Sequence, residues 1–131
     1  MNYLVDHEEE IYPRIAVLGE RAREIAVNAF LEEGVYCATP RYLNEAVKGS
    51  SLSLLAFPYE EGLELSTPAD VRDPAVCDVA LGEEILQLAL LVDDVFAVHG
   101  LGAISSAHTQ EDLERLRQAY GRAARLIKGY L

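Results

Sequence analysis

The apolar residues Ile11, Ile15, Leu18, Ala22, Ile25 and Ala29 recur at alternating steps of four and three. A helix of 3.6 residues per turn puts all six on one side, so this spacing dictates a long amphipathic helix that must bury a stripe. Glu20, Arg21, Arg23 and Glu24 fall on its other faces. Pro13 has no N–H and crowds the preceding turn, so the helix is expected to start near Tyr12 or to kink there. Tyr3, Leu4 and Val5 are expected in a preceding turn. Gly34, following Glu32 and Glu33, is a natural stop.

A second helix is spelled out at the far end. Thr109 stands three residues before Asp112, the acid variant of a capping box, just ahead of Leu113, Leu116, Tyr120, Ala123 and Ile127. The Thr109 hydroxyl can accept from a first-turn N–H, and Glu111, Asp112 and Glu114 suit the positive end of the helix. Arg115, Arg117, Arg122, Arg125 and Lys128 populate the distal half.

Between these ends the character is mixed. Val35–Thr39, Ser51–Phe57 and Leu63–Ser66 are short, aliphatic or β-branched, and flanked by Pro40, Gly49, Pro58 and the turn at 60–62, which predicts strands. Residues 67–78 read as a surface loop. Val79–Val92 returns to helical spacing with Ile85, Leu88, Leu91 and Val92 on one side. Val95–Val98 reads as a brief buried strand and Ala103–Ser106 as one more. The expected fold is a single α+β domain over residues 1–131: a small antiparallel sheet of three to five strands with helices packed on one face.

Composition narrows the function. With 22 acidic and 11 basic residues the formal charge is −11, which argues against nucleic acid and against an anionic membrane surface as partner. The most apolar stretch, Ile85–Val92, is far shorter than the roughly 20 residues of a membrane span, and the N-terminus carries no basic leader, so a cytoplasmic protein is expected. Cys37 and Cys77 fit no zinc spacing and are expected to be reduced and buried. Adjacent acids at Glu8–Glu10, Glu32–Glu33, Glu60–Glu61, Glu83–Glu84 and Asp93–Asp94 read as solvated faces. His7, His99 and His108 supply no third metal ligand, and His108 before the last helix is expected to bond the backbone. Gly100-Leu-Gly102 lacks the third glycine of a dinucleotide fingerprint and reads as a tight turn. No complete catalytic set and no metal site emerges.

Two stretches resemble one family. Tyr3-Leu-Val through Glu9-Glu-Ile-Tyr-Pro-Arg-Ile to Leu18-Gly-Glu-Arg-Ala-Arg-Glu, and Gly102-Ala-Ile-Ser-Ser-Ala-His-Thr-Gln-Glu-Asp-Leu-Glu at 102–114, resemble the C-terminal small domain of class III pyridoxal-phosphate aminotransferases. The glutamate-1-semialdehyde aminomutase branch is the most similar. Residues 35–80 match in pattern alone. The resemblance implies an amino-group transferase or isomerase, active as a homodimer on a small amino acid or amino aldehyde. Its pyridoxal 5'-phosphate, Schiff-base lysine and phosphate cradle belong to a large domain that precedes this one, so the chain reads as a truncated product or fragment, inactive alone. Neither Lys48 nor Lys128 matches the lysine motif. His99, Gly100, Leu101 and Gly102 would approach the substrate entrance from the small-domain side. One departure concerns Gly100, where that branch places a glutamate; a glycine there leaves amino-group transfer in general rather than strict aminomutase chemistry. The reading from another class is a free-standing acidic α+β module that binds or dimerises without catalysis.

Overall fold

In the computed structural model, which describes residues 2–40 and 50–131, the first apolar stretch forms the 25-residue helix α2 (Glu8–Glu32) behind a one-turn helix, α1 (Asn2–Asp6). Tyr3 and Val5, expected in a turn, therefore lie in α1, and α2 starts four residues before Tyr12. Pro13 sits inside α2 on an exposed side, where water can take the carbonyl its missing N–H leaves over. Glu8, Glu9 and Glu10 occupy the first turn, the end that favours acids. The helix closes on a left-handed cap: Gly34 (φ 76°) donates to the Leu31 carbonyl at 3.0 Å and Val35 to that of Phe30 at 3.0 Å.

The buried side of α2 is Gly19, Ala22, Arg23, Ala26, Ala29 and Phe30, mostly small residues that let neighbours come close. At Gly19 the approach is extreme, because a side chain there would collide with the Ser50 carbonyl. Arg23 is buried beside it. Its Nη1 donates to the carbonyls of Ser50 at 2.7 Å and Leu52 at 2.8 Å, and its Nη2 pairs with Glu20 at 2.8 Å.

Those contacts position β1 (Leu52–Leu54), which pairs antiparallel with β2 (Leu101–Ala103) in the register Leu52–Ala103, Ser53–Gly102, Leu54–Leu101. The same segment continues through single bridges, Ala56 to Ala38 and Pro58 to Cys77. The sheet among the described residues is thus a two-stranded ribbon, not three to five strands. Val35–Thr39 contributes one bridge before Pro40, and Leu63–Ser66 forms no strand. Val95–Val98 pairs only at Val98–Leu101, and the strand expected at 103–106 lies earlier. Prolines and tight turns cut each ladder after one to three residues.

Residues 67–78, expected as loop, contain the short helix α3 (Pro68–Arg72), with Thr67 and Asp70 capping each other's backbone and Pro68 at the first position. A π-turn, Leu81–Ile85, leads directly into α4 (Leu86–Leu91), the Leu86 N–H reaching back five residues to the Leu81 carbonyl. Its effect on packing is large. In a regular helix Leu81 would share a face with Ile85, Leu88 and Val92, the stripe read from the sequence. Instead Leu81, Gly82, Leu86, Ala89 and Leu90 are buried, and Leu88 (64%) and Val92 (80%) stand exposed.

The last helix, α5 (Gln110–Lys128), begins at the predicted capping box of Thr109 and Asp112. Its Tyr120, Ala123, Ala124 and Ile127 join Phe30, Phe57, Leu86 and Leu90 in the main core, where α5 lies against α2 and α4. No helix among the described residues is long and apolar enough to cross a membrane.

Candidate functional site

The residues expected at a substrate entrance form the tip of a hairpin. Val98 and Leu101 exchange backbone hydrogen bonds at 3.0 and 2.8 Å, with His99 (φ 51°) and Gly100 (φ 72°) between them. Two successive left-handed residues make the mirror-image turn whose twist suits a hairpin. Glycine adopts it freely, whereas His99 does so at a cost on the order of 1 kcal/mol. That conformation is held by the Gln87 side-chain oxygen, which accepts from the His99 N–H at 3.2 Å.

The imidazole this turn projects stands beside a carboxylate. His99 Nδ1 lies 3.7 Å from Glu83 Oε2, and Glu83 Oε1 lies 3.8 Å from Arg72 Nε. The three residues come from the hairpin, the π-turn and α3, and line up along the mouth of a cavity of about 330 Å3. Its interior is apolar, with Leu52, Leu54, Phe57, Val71, Val98 and Leu101 on the walls. An apolar recess with a few polar groups at its lip is suited to a small ligand with one polar end, or to a side chain of a docking partner. The row Arg72–Glu83–His99 can present the guanidinium and an imidazole N–H as donors to such a group.

No nucleophile accompanies them. Cys77 lines the same cavity, but burial pushes its thiol up, and Asp70 and Asp73 act in the same direction. Burial pushes Cys37 up to about 12. Both cysteines are free and buried, as expected.

Of the four entrance residues, His99 and Leu101 border this cavity, while Gly100 is a buried packing contact. A Cβ on Gly100 would lie 2.5 Å from the Gly82 carbonyl oxygen, so the glutamate of the aminomutase branch has no room here. Gly102 points to the opposite face of the ribbon, into a second cavity of about 470 Å3. Of the four, two therefore border one cavity, one borders the other, and Gly100 borders neither. Arg72, Glu83 and Gln87 carry no signal in the sequence that would join them to His99.

Most remaining candidates are structural. His7 bonds the Tyr3 carbonyl at 2.9 Å, and His108 Nδ1 accepts from the Ser105 N–H at 3.0 Å at the entry to α5. Asp93 pairs with Arg122 at 2.7 Å, and Glu33 with Arg125 at 3.4 Å. No group of three or more His, Cys, Asp or Glu residues suited to a metal occurs among the described residues. Lys128 is exposed, 3.9 Å from Glu33, and faces neither cavity; Lys48 lies outside the described residues. Among the described residues no lysine borders either of these cavities, so none is placed to hold pyridoxal phosphate as a Schiff base. No family model matches the chain, and neither a curated protein nor a solved structure matches it.

Proposed function

We propose that this chain is the small C-terminal domain of a class III pyridoxal-phosphate aminotransferase of the glutamate-1-semialdehyde aminomutase kind, with the coenzyme held by a large domain outside these 131 residues. The observation that carries this reading is how the two family-like stretches meet. Arg21 Nη1 donates to Gln110 Oε1 at 3.1 Å, tying the Leu18-Gly-Glu-Arg run of α2 to the capping box that opens α5. Within the first run, Gly19 makes the close approach to Ser50, and Glu20 pairs with Arg23 three residues on. Each stretch therefore has a physical reason to keep its spelling in this fold.

In this reading the domain shapes the substrate entrance with the His99 turn and closes over a small amino acid or amino aldehyde. Pyridoxal phosphate, when bound to the large domain, supplies the electron sink for amino-group transfer. The exposed stripe of Ile85, Leu88 and Val92 is the seat of that domain, and the parent is a homodimer. Alone, the chain has no turnover. The test supplies the large domain of such an aminomutase as a separate chain, with pyridoxal phosphate. Co-elution with this chain, and amino-group transfer only when both are present, is the expected result. A large domain that neither binds this chain nor gains activity from it overturns the reading.

The exposure of Leu88 and Val92 also favours a second reading, a self-sufficient module that pairs with its own copy through this stripe. Sedimentation equilibrium decides: a dimer that persists when the large domain is added supports the second reading.

A further inference from the structure

The 470 Å3 cavity opens where the arms of the hairpin part. Beyond the Val98–Leu101 bridge, residues 93–97 and Gly102–Ile104 make no backbone hydrogen bonds to each other among the described residues, and α5 closes the third side. Ser53 and Gly102 are directly opposed in the ladder, so both face this space. Gly102 leaves it open, since a Cβ there would meet nothing nearer than 3.9 Å.

At the foot of the opening lies an unmet hydrogen-bonding group. Ser53 is 5% exposed, and its Oγ is buried with no hydrogen-bond partner. The buried Tyr120 phenol is within reach of Oγ as a hydrogen-bond partner, in a contact that falls short of full geometry. A buried hydroxyl left this way costs about 1–3 kcal/mol, which a polar ligand atom would recover.

The rim decides which ligand. Arg122 pairs with Asp93 at 2.7 Å and Arg115 with Glu111 at 3.3 Å, and with Asp94 and Asp112 also in the lining its acids outnumber its bases, which disfavours a phosphate or carboxylate. Asp112 is committed to the cap of α5. What remains is the Ser53 hydroxyl, the second nitrogen of His108, the Gln118 amide oxygen, and the Asp94 carboxylate, for which no partner is found among the described residues. Phe96, 70% exposed, adds an apolar plate to the same lining. Hydroxyl, imidazole and carboxylate suit groups that both donate and accept, and an aromatic plate suits the C–H face of a saturated ring.

We propose that this cavity binds a neutral polyhydroxylated ring of monosaccharide size, with one hydroxyl on Ser53, one on Asp94 and its C–H face against Phe96. The proposal is independent of the aminotransferase reading. Its test is an amide NMR titration of the full chain with glucose, galactose, mannose and inositol, each at millimolar concentration, with inorganic phosphate as the anionic counterpart. Saturable shifts at Gly102, Ala103 and Val95 with at least one of the four are expected, and none with phosphate. Ser53→Ala should weaken binding about tenfold while its melting temperature changes little, because the hydroxyl's contact with Tyr120 falls short of full hydrogen-bond geometry. Gly102→Ala, which meets only ordinary contacts, should also weaken binding by filling the floor. No saturable shift with any of the four, equal binding of phosphate, or undiminished affinity in both variants overturns the proposal.

Discussion

Gly100 and Gly82 meet backbone to backbone: a Cβ added to Gly100 would lie 2.5 Å from the Gly82 carbonyl oxygen and 3.7 Å from that of Leu55. This contact seats the hairpin tip on the π-turn. Gly100→Ala must both push that carbonyl away and hold an L-residue at φ 72°. We expect it to lower unfolding free energy by about 2 kcal/mol or more in urea. Wild-type stability in that variant would mean that the tip does not rest on the π-turn.

Arg23 links α2 to β1 through two backbone carbonyls, and its burial makes those bonds expensive to lose. Arg23→Met leaves the Ser50 and Leu52 carbonyls short of donors and is expected to cost about 2–4 kcal/mol. Glu20→Gln is the control. Glu20 is 62% exposed, so weakening its pair with Arg23 should change stability by less than about 1 kcal/mol.

The acid limb of stability follows from the caps. Hydrogen bonds from the Thr109 backbone and hydroxyl hold Asp112 below the usual carboxylate range, and Thr67 does the same for Asp70. Donors from Arg117 and Gln118 bring Glu114 down to about 2. A folded pKa below the unfolded value, about 4, means that the stabilisation is present above that value and is lost as pH falls through the folded one. Melting temperature should therefore decline from about pH 4 downward. Asp112→Asn should flatten that decline, and salt should reduce it because all three groups are fully exposed.

Leu88 and Val92 face solvent, so Leu88→Asp with Val92→Glu should leave urea stability within about 0.5 kcal/mol. The same pair should abolish any association with an aminotransferase large domain or a second copy, read by sedimentation. Loss of folding instead would place these side chains in the core.

Asp94 caps α4 in the left-handed conformation that Gly34 uses at the end of α2, donating to the Leu91 carbonyl at 3.2 Å while Val95 reaches Leu90 at 3.1 Å. Asp94→Gly should raise stability by up to about 1 kcal/mol in urea, since glycine takes this φ without penalty.

Comparison of the two capping boxes explains much of what can be read in this chain without coordinates. Thr67-Pro68-Ala69-Asp70 is spelled like Thr109-Gln110-Glu111-Asp112, but α3 buries no residue and so leaves no apolar periodicity behind its cap. The long helices were legible because their length forces repetition. The short strands were not, because each pairs for only one to three residues and a proline or turn ends the ladder before alternation can accumulate. A turn was legible at Gly100-Leu-Gly102, but the structure sets it one residue earlier, at His99–Gly100, and gives Leu101 and Gly102 to β2. The turn's neighbours Glu83, Arg72 and Gln87 were not, since they reach it only through the docking of α3 and the π-turn. The second cavity rests on a missing side chain at Gly102 and a hidden hydroxyl at Ser53, neither of which periodicity records.

The bulge at Leu81–Ile85 has a wider meaning for the molecule. It absorbs a single extra residue, and winding the same residues as a regular helix would rotate everything downstream by about 100°. Leu90 would then swing out to water and Leu88 inward toward Tyr120. Interior and exterior of this segment are two settings of one dial, and the chain's sticky flank exists because that dial is offset by one notch.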